Sequence, residues 1–281
     1  MDQLQTDHLK AYGVAFWSLK RGENVDWLLN YRGGSFMVNY NSSLERELKI
    51  RGVYYEPINT AILTEIFVQI EENNMDMVLL EKLPKIAVYS PPDKQPWDDA
   101  VTLALTYAEI DYDVVFDDEV LTDKLKDYDW LHLHHEDFTG QYGKFYKNYH
   151  NAGWYKNMEI QFQATAHKHG FNTVHELKKK VALKIKEYVM NGGFMFAMCS
   201  ATDSFDIALA AQNVDIAATV YDHSPVDPGY KNKMDYTNSI AFENYNLYTN
   251  PMTYEYSTID VPPSHRPVTR GAEADYFTLF E

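Results

Sequence analysis

The feature that most constrains this fold is a regular alternation of short apolar runs with amphipathic segments, beginning at Pro84. The strand-like runs and the segments with helical spacing follow one another in the order 85–90, 97–110, 112–117, 119–128, 129–136, 173–193 and 194–199. This order predicts an α/β domain whose strands lie parallel, with right-handed crossovers and helices on both faces. Ligands of such sheets bind beyond the carboxyl ends of the strands, so the ends of the third and fourth strands are expected on the functional edge.

The region before Pro84 has a different pattern. Aromatic and β-branched residues over 11–40 predict two or three short strands in a meander or hairpin. Gly33 and Gly34 are expected to make a hairpin turn, with close approach to a phosphate as the alternative. This stretch is therefore expected to be β-structure.

Two helices are expected to follow these strands. Asn41 and the residues after it form an N-cap signal, and so do residues 57–60. Apolar residues at helical spacing extend the second helix over 61–83. The sequence therefore predicts a small α+β element over 1–83 and the α/β domain over 84–281.

Charge and composition exclude several classes of protein. The chain has 281 residues and a formal net charge of −16, which opposes binding to phosphate backbones, so no nucleic-acid partner is expected. No apolar run approaches the ~20 residues of a membrane helix, and the start lacks the pattern of a signal peptide. As given, the sequence predicts a soluble protein without a membrane span. A single cysteine allows no internal disulfide and leaves the compartment open.

That cysteine, Cys199, is the first candidate catalytic residue. It closes a predicted strand and is followed by Ser200-Ala201-Thr202-Asp203, at the expected start of a helix. A helix N-terminus favours a thiolate, and its free amide groups can hold an oxyanion. Because free cysteines are also common in cores, a small buried residue sealed beneath the neighbouring aromatic residues is the alternative.

The second candidate is the strand end His132-Leu133-His134-His135-Glu136. Adjacent parallel strands lie ~4.8 Å apart, so His134 or His135 is expected within about one side chain's reach of Cys199. Glu136 or Asp137 could orient the imidazole, which would complete a thiol, imidazole and carboxylate set.

Other uses of these histidines stay open. They could bond within the sheet edge, or bind a metal with further ligands at His167, His169 or His175. No spacing here matches a zinc signature, and no metal is predicted. The sequence also lacks a Walker lysine motif, G-x-G-x-x-G and G-x-S-x-G, so neither ATP binding nor any other cofactor is predicted.

Aromatic residues make up 15% of the chain and crowd into residues 142–155. Such density suits a surface for a peptide, a glycan or another small molecule, or the internal packing of a long loop. No partner protein can be named from it.

Residues 85–212, with "DWLHLHHEDFTG" and "EYVMNGGFMFAMCSATDSFD", resemble the class I glutamine amidotransferase-like superfamily, which has a flavodoxin-like parallel sheet. The whole chain resembles a Bacteroidota group labelled asparagine synthetase B. The resemblance implies cysteine-dependent amide hydrolysis or amidotransfer, with Cys199 as nucleophile and His135 or His134 as base. It also implies oxyanion contacts from the amide of Ser200 and from the loop that contains Asp137.

The chain departs from these patterns in several places. Asp2 stands where true asparagine synthetase B enzymes have an N-terminal cysteine, and their S-G-G-x-D-S loop is absent. The superfamily's His-x-Glu pair after the cysteine is also missing, since only His223 and His265 follow. Either the partner lies beyond Glu281, or His134 or His135 has replaced it, or the site is inactive.

The same resemblance bears on the chain's extent and location. Members of the group are longer at both ends and begin with an export signal, which implies a periplasmic or envelope location. Residues 274–281 look like a strand cut short, and the α/β domain is expected to be incomplete at its C-terminus. A non-catalytic envelope binding or scaffold protein on the same fold is the alternative function.

Overall fold

The computed structural model describes residues 4–92 and 100–259. The predicted helix start at 97–99, His265 and the strand-like stretch 274–281 lie outside the described residues. Strands in the described parts are β1 Val25–Leu29, β2 Ser35–Val38, β3 Asp76–Leu80, β4 Ile86–Tyr89, β5 Asp113–Val115, β6 Trp130–Leu133 and β7 Phe194–Ala197. Helices are α1 His8–Lys20, α2 Ser42–Arg51, α3 Thr60–Glu72, α4 Ala100–Ala108, α5 Asp117–Leu121, α6 Tyr146–Tyr149, α7 Gly153–Lys168, α8 Val174–Met190, α9 Ser200–Ala210, α10 Thr219–Asp222 and α11 Tyr230–Lys233.

The chain divides into two compact units. The first comprises Met1–Val88, Asp93–Val114 and Asp127–Trp130, and the second comprises Tyr89–Pro92, Val115–Lys126 and Leu131–Glu281. The expected division of the chain at residues 83 and 84 stays a prediction.

The four-stranded sheet has the strand order β5-β4-β6-β7 and is parallel. This confirms the α/β class and the parallel arrangement that the strand–helix alternation predicts. Residues of β4 are buried along their whole length, as expected for a central parallel strand. β7 is the last strand at one side of the described sheet.

Part of the expectation for residues 11–40 is wrong. Residues 8–20 form α1, which Asp7 caps by accepting a hydrogen bond from the backbone N of Lys10 at 3.0 Å. The helix packs against α4, α2 and the first two strands, so consecutive residues from Gly13 to Phe16 are buried. Burial on several sides produces a continuous apolar run, which resembles a strand when only the sequence is considered.

The remainder of that stretch is β-structure as expected. β1 and β2 pair antiparallel, with Trp27 opposite Phe36. Positive φ angles at Asn30, Arg32 and Gly33 make the turn between them. The Gly33-Gly34 stretch is therefore part of a hairpin connection.

The expected helix over residues 61–83 ends early. α3 begins after Asn59, whose side chain accepts from two backbone amides, and ends at Glu72. Residues 76–80 form β3, which pairs antiparallel with β1. A short apolar run such as "MDMVLL" is ambiguous between helix and strand, and the open edge of β1 decides it. The expected α2, capped by Asn41, is confirmed.

The interval between β6 and α8 is more ordered than the sequence indicates. Residues 153–168 form α7, which packs against α8, and α8 also packs against α5 and α9. The apolar face of α8, including Leu177, Val181 and Ile185, is fully buried.

Candidate functional site

Cys199 lies on a sharp turn between β7 and α9. Its backbone has φ 53° and ψ −143°, a region that residues other than glycine rarely adopt. Cys199 is also exposed, as are Phe194, Phe196 and Met198 before it. A cysteine sealed beneath these residues, the alternative considered above, is not what the structure shows. Strained turns of this kind are concentrated at functional sites because they hold one side chain outward.

The loop after β6 is attached directly to this turn. The backbone N of Met198 donates to the carbonyl of Leu133 at 3.1 Å, and the N of Ala201 donates to that of His134 at 3.1 Å. The Ser200 hydroxyl donates to the carbonyl of His135 at 3.0 Å. The structure therefore brings the histidine loop and the cysteine turn together at the carboxyl edge of neighbouring strands.

Ser204, one turn into α9, secures the next part of the loop. Its hydroxyl donates to the carbonyl of Glu136 at 2.8 Å and accepts from the backbone N of Phe138 at 3.3 Å. Ser204 is fully buried. Both ends of this loop are thus held by α9, which carries Cys199 at its N-terminus.

The two predicted histidines contact each other. Their Nδ1 atoms lie 3.2 Å apart and their ring centroids 4.6 Å apart. A hydrogen bond across this distance requires one Nδ1 to carry the hydrogen and the other to accept it. His132 is buried and stacks on Phe196 at 5.5 Å, farther back along the strand.

The two carboxylates hold the loop backbone. Oε2 of Glu136 accepts from the backbone N of His134 at 2.9 Å. Oδ1 of Asp137 accepts from the backbone N of Thr139 at 2.7 Å, and Oδ2 accepts from that of Gly143 at 3.1 Å. Both side chains are buried. Their expected action on an imidazole ring stays a prediction, whereas their action on the backbone is directly visible.

Cys199 is a free, exposed cysteine. Within residues 4–92 and 100–259 its thiol has no hydrogen-bond partner. Catalytic contacts in unliganded sites are often long and tighten only with substrate, so the lack of a bonded imidazole does not remove the thiol as a candidate nucleophile.

The cysteine turn and the histidine loop each contain a backbone amide without an acceptor. The amides of Ser200 and Asp137 have no acceptor in the described part of the chain. By contrast, the amide of Ala201 is already bonded to the histidine loop, and that of Thr202 bonds to the carbonyl of Cys199. Ser200, the residue after Cys199 and the first of α9, therefore supplies an open donor, as the N1 position of a helix does in general.

The other histidines considered as metal ligands have separate roles. His169 bonds to Asp118 at 2.5 Å, whereas Nδ1 of His175 lies 2.7 Å from the carbonyl of Thr139. Burial lowers the pKa of His175 below its usual value. His167 lies in the last turn of α7. Among the described residues, no group of three acidic, histidine or cysteine side chains has the arrangement of a metal site.

Two buried lysines near this edge are not evident from the sequence. Lys178 donates to Asp117 and to Tyr89 at 2.9 Å each, and all three side chains are buried. Lys144 donates to the carbonyls of Tyr248 and Asn250 at 2.6 and 3.3 Å. Lysines are normally exposed, so only the tertiary structure shows that these two are inside.

The aromatic segment 142–155 packs mainly on itself and on nearby rings. Tyr142 contacts Tyr155 and Tyr221 with ring centroids 6.1 and 6.2 Å apart, and Phe145 contacts Trp154 at 5.9 Å. Tyr142 and Tyr155 are fully buried. Much of this segment therefore forms a core next to the loop rather than an open surface.

No protein-family model, no curated protein and no solved structure matches this chain. In the described ranges, every helix is too short or too polar to cross a bilayer.

Proposed function

We propose that this protein is a cysteine-dependent amide hydrolase or amidotransferase related to the class I glutamine amidotransferase-like superfamily, with an asparagine synthetase B-like chain. The observation that carries the proposal is the exposed thiol of Cys199 at positive φ, on a strand-to-helix turn bonded to the His134-His135 loop. The strand order β5-β4-β6-β7 supports it, because a flavodoxin-like sheet has this order in its first four strands.

The proposed reaction is acyl transfer through a thioester. The sulfur of Cys199 attacks the carbonyl carbon of a side-chain amide while its proton passes to an imidazole of the pair. The tetrahedral intermediate collapses, the C–N bond breaks, and the imidazolium donates its proton to the departing ammonia. Water then attacks the thioester, which releases the acid and restores the thiol.

Each remaining residue has a defined part in this proposal. His135 is the base, and His134 shares its hydrogen with it across 3.2 Å. The backbone amides of Ser200 and Asp137 stabilise the oxyanion. Glu136 keeps the loop in place through the amide of His134. The proposed reaction needs no cofactor, and the resemblance implies a periplasmic or envelope location.

Thiol alkylation tests the histidine part of the proposal. Cys199 is the only cysteine, so iodoacetamide reports on it alone. We expect His135→Ala to slow alkylation of the native protein at pH 6.5 by about tenfold and to have little effect at pH 9, where hydroxide replaces the base. His150→Ala is the matched control, because this histidine bonds to the carbonyl of Tyr146 on a separate helix. Equal rates for all three proteins at pH 6.5 would remove His135 from the mechanism.

Ammonia release tests the reaction itself. Wild-type protein incubated with glutamine, asparagine and amide-containing peptides is expected to release ammonia from at least one of them. Cys199→Ala is expected to abolish the release. If alkylation behaves as expected and no amide yields ammonia, the site is a reactive thiol without this activity.

A non-catalytic envelope binding or scaffold protein is the second candidate. The exposed side chains of Phe196 and Met198 favour it, because exposed apolar patches often mark contacts with other chains. Its ligand would be a peptide, a glycan or another small molecule. Unchanged binding by Cys199→Ala, together with no ammonia release by wild type, would support it.

A further inference from the structure

The outer edge of β3 is open in the described part of the chain, where β1 is its only strand neighbour. Met77, Val78 and Leu79 of this strand are exposed by 40%, 38% and 51%. By contrast, β2 at the other edge of the same sheet is half-buried along its whole length. Because neighbouring side chains of a strand point to opposite faces, the edge of β3 presents apolar groups on both faces.

Two residues of β3 turn their backbone groups away from β1. The backbone N of Met77 donates to Oδ1 of Asp76 at 2.7 Å instead of to β1. Bond directions alternate along an antiparallel strand, so the N–H and C=O groups of Leu79 also point outward. Natural edges use charged residues, proline or bulges to prevent pairing, whereas β3 is charged only at Asp76 and has no proline. The edge can therefore accept another strand.

The sequence of β3 is complementary to its own reversed copy. Two copies that lie antiparallel about Val78 place Met77 of each opposite Leu79 of the other. Outward residues then meet outward residues, as a hydrogen-bonded pair of an antiparallel ladder requires. Asp76 stands opposite Leu80, so no like charges face each other across the pair. A second copy of the chain thus satisfies both the backbone groups and the apolar side chains of this edge.

We propose that β3 pairs antiparallel with β3 of a second copy and joins the two three-stranded sheets into one. The same patch is used on both copies, so the contact closes at a dimer. A pair of five-residue strands buries far less than the ~1,600 Å² of a typical stable interface, so we expect the dimer to dissociate on dilution. This proposal is independent of the chemistry of the thiol.

Sedimentation velocity of the full chain, from low micromolar to submillimolar concentration, tests the pairing. We expect the mass of wild-type protein to rise from one chain to two across this range. The double variant Met77→Lys, Leu79→Lys places like charges opposite each other twice, and Met77→Glu, Leu79→Glu does so with the opposite sign. Each should stay monomeric alone, and an equal mixture of the two should form the dimer again.

The double variant Met77→Lys, Leu79→Glu tests the register. Pairing about Val78 sets each new lysine opposite a glutamate, so this variant should still dimerise. Pairing about Met77 or Leu79 would set two like charges against each other and should prevent it. Leu103→Lys on α4 is the matched control, because this leucine is also exposed but lies on another element, and its dimerisation should equal that of wild type.

Four results would overturn the proposal. Wild-type protein that stays monomeric over the whole range would show that the edge remains open, and this measurement needs no variant. Dimerisation of the two-lysine variant alone would place the contact on another surface. Growth beyond the dimer would contradict a contact that uses the same patch on both copies. Loss of the dimer in Met77→Lys, Leu79→Glu would exclude pairing about Val78.

Discussion

At the scale of single residues, the backbone of Cys199 has a testable energetic consequence. Its φ of 53° suits glycine better than a residue with a Cβ. We expect Cys199→Gly to be more stable than Cys199→Ala by about 1 kcal/mol, which reverses the usual order. Urea unfolding of the two variants measures the difference. Met198→Gly and Met198→Ala, one residue earlier, are the controls and should show the usual order, with alanine the more stable.

Lys178 provides a second prediction at this scale. Its side chain and that of Asp117 are almost completely buried, and their atoms lie 2.9 Å apart. Removing the lysine leaves the carboxylate buried without its cation, so Lys178→Ala should lower the free energy of unfolding by about 3–5 kcal/mol.

Lys184→Ala is the matched control for this prediction. Lys184 also contacts an aspartate, Asp123, at 2.7 Å, but that aspartate is 61% exposed. Its loss should therefore cost less than about 1 kcal/mol. Similar losses for the two lysine variants would contradict the assignment of Lys178 to a buried ion pair.

At the scale of elements, the packing of α1 on α4 depends on one glycine. A Cβ at Gly13 would lie 1.8 Å from the carbonyl oxygen of Ala108. Gly13→Ala is therefore expected to lower stability by about 2–3 kcal/mol, although glycine-to-alanine changes in helices usually stabilise. Gly153→Ala at the start of α7 meets no atom within 4 Å and should leave stability unchanged or slightly higher. Thermal unfolding of both variants checks this.

The elements also show what could be predicted from sequence. The four parallel strands follow from short apolar runs separated by helices, a local pattern that the structure preserves. α1 and β3 could not be recognised, because the burial of α1 on several sides and the pairing of β3 with β1 are decided by distant residues. α7 could not be recognised either, because it begins within the aromatic segment 142–155, whose composition suits a loop equally well.

In the candidate site, too, the features set by local sequence could be predicted, whereas the contacts between distant segments could not. The meeting of the His134-His135 loop with Cys199 follows from two strand ends, which the sequence reveals. The bond from Glu136 to the amide of His134 does not, because it depends on how the loop bends after β6. The bond from the Ser204 hydroxyl to the carbonyl of Glu136 could not be predicted either, because it forms only when α9 lies beside the loop.

At the scale of the whole molecule, buried lysines couple stability to pH. Burial lowers the pKa of Lys144 to about 8, below its value of about 10.5 in the unfolded chain. Between these two pH values the unfolded state binds the proton and the folded state does not, so stability rises with pH. Above pH 10 the trend reverses, because burial raises the pKa of Tyr142, Tyr155 and other tyrosines that ionise in the unfolded chain.

Comparing Lys144→Met with wild type isolates this contribution. Because methionine does not titrate, the stability of wild type relative to the variant should increase by about 2 kcal/mol between pH 8 and pH 10. The uncharged amine still has two hydrogens for the carbonyls of Tyr248 and Asn250, so the contacts survive the loss of charge. Lys184→Met is the control, since hydrogen bonding to Asp123 raises the pKa of that lysine and no such increase should occur. A difference between wild type and Lys144→Met that stays constant over this range in urea unfolding would show that Lys144 keeps its proton when folded.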